Sequence, residues 1–89
     1  MKCKLLDVLS VKVLSDYQLE LRFDNGVSGI VDISNIVPFE GIFEPLKNKD
    51  YFARVALNSE IGTIFWENGA DISPSLLFEH LITKHEDAA

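Results

Sequence analysis

Tyr17-Gln18-Leu19-Glu20-Leu21-Arg22-Phe23-Asp24-Asn25-Gly26-Val27-Ser28-Gly29-Ile30-Val31-Asp32-Ile33 is the stretch whose reading decides the fold. Its first seven residues alternate strictly. Tyr17, Leu19, Leu21 and Phe23 fall on one face, and Gln18, Glu20 and Arg22 on the other, the period-2 pattern of a half-buried strand. Asn25-Gly26 follows, the preferred pair for a two-residue type I′ hairpin loop, because both positions need positive φ. Counting outward from that loop sets Phe23 opposite Ser28, Leu21 opposite Ile30 and Leu19 opposite Asp32. The second strand then runs from about Val27 to Ile33, with Val31 and Ile33 on the opposite face, so that face is partly covered too.

Working outward, Leu5–Leu14 is rich in Val and Leu and reads as a strand, with Ser15-Asp16 as the turn that follows it. On the other side, Ser34-Asn35-Ile36-Val37-Pro38 reads as a turn or one helical turn. Gly41–Leu46 is irregular but apolar, and it is expected to send Ile42, Phe43 and Leu46 inward. Asn48 is placed to cap a short helix over Lys49–Arg54. Val55–Leu57 returns as a strand, residues 58–62 turn, and Thr63–Trp66 is the last strand. Asn68-Gly69 marks a further turn. Ser73-Pro74 is an N-cap followed by proline at the first helical position. Leu76, Leu77, Phe78, Leu81 and Ile82 give that closing helix an apolar stripe.

The pattern predicts an α+β fold. A small antiparallel sheet, made of a β-meander and a second hairpin, carries a short central helix and a C-terminal helix packed on it. Eighty-nine residues fit one domain, set here at residues 1–83, with 84–89 as a frayed polar tail. Apolar residues make up 47% and charged residues 25%, the balance of a chain that folds rather than one that stays disordered.

The formal net charge is −6, and the eight Lys and Arg residues form no run. A duplex phosphate backbone repels such a field, so direct nucleic-acid binding by this domain alone is disfavoured and a basic protein partner is favoured. Cys3 is the single cysteine, which excludes an internal disulfide and fits a reducing compartment. Asp7 interrupts any apolar run that could serve as a signal segment, and no stretch approaches the roughly 18 apolar residues of a membrane helix. The expected location is the cytoplasm.

Three groups of residues between Phe23 and Glu79 resemble a known family. They are Phe23-Asp24-Asn25-Gly26 with Asp32-Ile33, then Gly41–Leu46 with Tyr51-Phe52, and then Trp66-Glu67-Asn68-Gly69-Ala70-Asp71-Ile72 with Pro74 and Leu77-Phe78-Glu79. Together they resemble the domain-of-unknown-function 2442 family of bacterial proteins over nearly the whole chain. Trp-x-Asn-Gly-Ala-Asp before a prolyl helix is the most specific element. The chain departs from the family at Phe78, where tyrosine is frequent, and at Ser28, where an apolar residue is usual. The resemblance implies a small α+β fold and frequent association with toxin–antitoxin-like gene pairs, in which such proteins are the antitoxin-like member. Some relatives carry the domain ahead of a helix-turn-helix. The resemblance supplies no catalytic residues.

Trp66, Asn68, Gly69 and Asp71 are the most conspicuous cluster. Turn chemistry explains every residue type in it: Gly69 supplies positive φ, Asn68 and Asp71 bond backbone amides, and Trp66 fills the core. The functional alternative makes Trp66, Asn68 and Asp71 the rim of a partner-binding surface, since Trp is enriched among interface hot spots. Asp24, Asp32, Glu67 and Asp71 lack the spacing of a calcium loop and read as solvated or turn-capping carboxylates. His80 and His85 are five apart, off one helical face, so they do not form a metal pair. Cys3 lies between two lysines that could lower its pKa, but no motif supplies a base or an oxyanion site. No glycine-rich phosphate loop is present. No catalytic residue, cofactor or metal site is therefore assigned.

The reading that follows is a non-enzymatic protein-interaction module, antitoxin-like on the strength of the resemblance. Its partner is a protein encoded nearby, with a homodimer as a further option. A small metal-dependent or hydrolytic enzyme using Asp, Glu and His residues is one alternative, which a metal held by three or more protein ligands would favour. A transcriptional regulator acting through a dimer or partner is another, which a salt-dependent DNA shift would favour.

Overall fold

The computed structural model describes residues 6–86. The elements run β1 (Val8–Val13), β2 (Gln18–Phe23), β3 (Val27–Asp32), 3-10 turns at Ile33–Asn35 and Gly41–Lys47, α1 (Lys49–Phe52), β4 (Ala56–Asn58), β5 (Thr63–Phe65), α2 (Pro74–Glu79) and β6 (Thr83–Glu86). Strands β1-β2-β3-β6 make one antiparallel sheet, and β4-β5 a separate two-stranded ribbon. The α+β class with a meander and a second hairpin is as the alternation predicts.

The register of the first hairpin is one residue away from the count based on Asn25-Gly26. Arg22, not Phe23, lies opposite Ser28; Leu21 faces Gly29 and Leu19 faces Val31. The loop has three residues rather than two. Gly26 N donates to Phe23 O at 3.2 Å, Val27 N donates to Asn25 Oδ1 at 3.0 Å, and Gly26 takes φ 88°. Burial explains the choice. In this register Leu19, Leu21 and Phe23 share a face with Val27, Val31 and Ile33, and all six are buried. The two-residue loop would have put Ser28 and Asp32 on that face instead. Burying an aliphatic side chain contributes about 1.5–3 kcal/mol, so three of them outweigh a preference for one loop length, and a one-residue slip forfeits them together.

β1 takes in Val8–Val13 of the expected Leu5–Leu14, of which Leu5 lies outside the described residues, and carries an irregularity between Val8 and Ser10. In the central segment Leu46 is buried and Phe43 packs partly against the core, but Ile42 is 49% exposed, not inward. The segment is a 3-10 helix. With three residues per turn, Phe43 and Leu46 stack on one edge and Ile42 points a third of a turn away.

α2 begins as its sequence signals: Ser73 Oγ accepts from Leu76 N at 3.2 Å and Pro74 is the first helical residue. Ser73→Ala is expected to lower stability by about 1 kcal/mol in chemical denaturation; no measurable change would show that the cap contributes nothing. The helix ends at Glu79, earlier than the apolar stripe suggests, and Ile82 is 58% exposed. The chain leaves the helix there to enter β6, with Ile82 N donating to Ile30 O at 2.7 Å. Residues 84–86, read as tail, thus belong to a strand paired with β3. Residues 87–89 lie outside the described residues, as does Cys3 with its flanking lysines.

The core lies between the inner face of the sheet, the ribbon and the helices. Phe23 meets Phe78 edge-on at 5.3 Å, and Phe52 meets Tyr17 edge-on at the same separation. No helix of the described residues is long and apolar enough to cross a membrane.

Candidate functional site

The turn at residues 66–71 is held from inside and from two sides. Gly69 N donates to Trp66 O at 2.9 Å and Trp66 N to Ala70 O at 2.8 Å, closing a tight loop with Gly69 at φ 93°. Asn68 Oδ1 accepts from Ala70 N at 3.0 Å. From the same residue, Nδ2 donates to Ile42 O at 2.8 Å and the backbone N–H to Tyr51 Oη at 3.1 Å. Asn68 therefore ties the turn to both the 3-10 segment and α1.

Trp66 is fully buried. Its Nε1 donates to Phe52 O at 3.0 Å, and its ring lies tilted against Phe52 at 5.9 Å. The indole offers no surface to a partner; what the turn presents outward is Glu67, Asn68, Gly69 and Asp71, all exposed. Of the three residues read as a partner-binding rim, Asn68 and Asp71 lie at the surface and Trp66 beneath it.

Beside the turn lies an open hollow of about 320 Å³ lined by Asn48, Asp50, Tyr51 and Arg54. The sequence sets these up locally. Asn48 Oδ1 caps α1, accepting from Asp50 N at 2.8 Å and Tyr51 N at 3.2 Å. Arg54 lies two residues past the end of α1, where its N–H donates to Tyr51 O at 2.9 Å in the turn that closes the helix. Arg54 Nη1 reaches Glu67 Oε2 at 3.3 Å, linking the segment that follows α1 to the turn. Both side chains are more than half exposed, so this pair adds at most about 1 kcal/mol. Its consequence is for shape: it holds the Arg54 guanidinium, which lines the hollow with Asp50, against the neighbouring turn.

The remaining candidates stay apart. Asp32 Oδ1 caps the first 3-10 turn, accepting from Ser34 N at 3.0 Å. Asp24 sits in the β2–β3 loop, and His80 is on the surface with Nδ1 at 2.9 Å from Leu76 O. His85 belongs to β6. Among the described residues, no three His, Cys, Asp or Glu side chains converge where they could hold a metal ion. The hollow offers a phenol, a guanidinium and an amide beside a carboxylate, with apolar Ile42 in the segment that Asn68 holds.

Sequence reasoning found the turn and missed Tyr51, Arg54 and Ile42. The capping signal at Asn48 could have located Tyr51, since it fixes the phase of the short helix; Arg54 lies past its end and had no such signal. No curated protein and no solved structure matches the chain. One family model does, over residues 8–83, a span that takes in both hairpins, the 66–71 turn, the hollow and α2. On that coverage the chain belongs to the family described as Protein of unknown function (DUF2442).

Proposed function

We propose that this chain is a protein-interaction domain without catalytic activity of its own, and that the hollow lined by Asn48, Asp50, Tyr51 and Arg54 seats its partner. One observation carries the reading: Tyr51 and Arg54 line the hollow and are already fixed against the neighbouring turn, Tyr51 Oη by Asn68 N and Arg54 by Glu67. Tyr and Arg are the residue types that dominate interface energetics. Fixing them beforehand reduces the ordering cost of association, which is about 0.5–1.5 kcal/mol for each immobilised long side chain. The domain's net charge of −6 speeds encounter with a cationic protein and slows encounter with DNA. In its finer form, supported by the family resemblance, the domain is the antitoxin-like member of a gene pair and the partner is the adjacent gene's product.

Titrating that product into the domain at two salt concentrations tests the reading. Binding is expected to weaken as salt rises, and to weaken at least ~10-fold in Arg54→Ala and in Ile42→Asp, both changes at exposed side chains. A domain that binds nothing, yet hydrolyses a simple ester or phosphate in a way lost on Asp71→Ala or His80→Ala, would overturn it in favour of an enzyme.

A further inference from the structure

Two ionised side chains line the hollow, Asp50 and Arg54, and they are not equally committed. Arg54 Nη1 lies 3.3 Å from Glu67 Oε2, so its charge is already offset. Lys49, the neighbour of Asp50 in the chain, is drawn the other way, with Nζ 3.2 Å from Asp16 Oδ1. The Asp50 backbone N–H is engaged by Asn48 Oδ1 at 2.8 Å, but among the described residues its carboxylate has no ion pair and no hydrogen bond. Tyr51 lines the same hollow and is held in place, its Oη accepting from Asn68 N at 3.1 Å. The hollow therefore carries one unanswered charge, a negative one, beside a fixed aromatic side chain.

We propose, resting on the partner-binding reading above, that the hollow seats one arginine side chain of the partner, with Asp50 taking its charge and Tyr51 its planar group. The two oxygens of a carboxylate match the paired N–H groups of a guanidinium, and an aromatic ring attracts a cation placed over its face. Lysine meets these features less well, because its ammonium is a strongly hydrated point charge, whereas a guanidinium is planar, stacks on rings and gives up water more readily. The volume of about 320 Å³ lies at the small end of ligand sites, which suits one long side chain rather than a folded element. Arg54 does not set the sign of the occupant, because Glu67 offsets it. Its guanidinium has N–H groups beyond the one aimed at Glu67, and these serve neutral backbone carbonyls of the same partner segment. The net charge of −6 across the whole chain argues for the same sign of partner.

N-acetyl-arginine amide, titrated into the full chain and followed by backbone amide shifts, tests the seat directly. Saturable shifts at Asp50 and Tyr51 are expected in the range of about 1–20 mM, and they should weaken as salt rises. N-acetyl-citrulline amide, which has nearly the same shape without the charge, should give none, and nor should N-acetyl-glutamate amide. Asp50→Asn should lose the arginine shifts and keep the denaturation midpoint, since its carboxylate bonds nothing in the fold. Against the adjacent gene's product, Asp50→Asn should weaken binding at least ~10-fold. A product that binds Asp50→Asn as tightly as the unaltered chain, or more tightly, leaves the proposed function standing and overturns the arginine seat. An arginine derivative that shifts nothing at Asp50 and Tyr51 up to about 50 mM overturns it too, as does a citrulline derivative that binds equally well. A product that fails to bind while the arginine derivative titrates onto Asp50 counts against that product as the partner and supports the seat.

Discussion

Trp66→Ala is expected to lower the stability of this domain by about 3–5 kcal/mol, the usual range for emptying the site of a large buried aromatic. The ring has no exposed surface, so the whole of its apolar contact is lost. The Phe52 carbonyl also loses the Nε1 donor at 3.0 Å, and a buried acceptor without a partner costs about 1–3 kcal/mol more where water cannot replace it. A domain of this length has a total stability of about 5–9 kcal/mol, so the variant sits near its unfolding threshold at room temperature. Trp66→Phe separates the two contributions. It keeps an aromatic against Phe52 but supplies no donor, and should cost about 1–3 kcal/mol. Urea denaturation followed by far-ultraviolet circular dichroism measures both. A loss below about 1 kcal/mol for the alanine variant would mean that the turn does not depend on the indole. The test bears on the hollow as well, because Glu67 and Asn68 follow Trp66 directly in the chain and hold Arg54 and Tyr51, which line it.

The sequence showed where the chain turns more plainly than what the turns bring together. Asn68-Gly69 and Ser73-Pro74 are legible because the physics is local: a positive φ at Gly69, a hydroxyl capping the first turn of a helix. The place of Trp66 was left open because its strand does not alternate. Thr63, Ile64 and Trp66 are all buried, and Thr63 manages it by donating Oγ1–H to Ile72 O at 2.6 Å. The hollow was illegible for another reason. Tyr51 meets Asn68 across 17 residues and Asn68 meets Ile42 across 26, and no short window carries that information. The first hairpin shows two local signals in competition. Asn25-Gly26 argued for a two-residue loop, while Val27, Val31 and Ile33 argued for the other register by their spacing, and burial prevailed. β6 had no signal at all, since Thr83-Lys84-His85-Glu86 is polar throughout and becomes a strand by pairing with β3.

Gly29→Ala is expected to destabilise the domain by about 2–3 kcal/mol, in the upper part of the range for overpacking, and to act on one element. Gly29 lies in β3, opposite Leu21 on one side and Lys84 of β6 on the other. A Cβ at this position would overlap the Thr83 carbonyl oxygen and come within 3.0 Å of Leu81 Cδ2. Leu81 can rotate its methyl away. The Thr83 oxygen is backbone and cannot, so β6 must shift or detach. A glycine inside a strand often marks such a close approach of another chain segment. The β1–β2–β3 ladder does not pass through the clash, which makes the effect separable by amide exchange. Ile82 N, bonded to Ile30 O at 2.7 Å, should lose protection along with β6, while Leu19 and Leu21 stay protected at the level of global unfolding. Uniform loss of protection across the sheet would instead mean that β6 closes the same cooperative unit as the hairpin. Unchanged exchange at Ile82, with a cost below about 0.5 kcal/mol, would show that the fourth strand does not dock on Gly29 in solution.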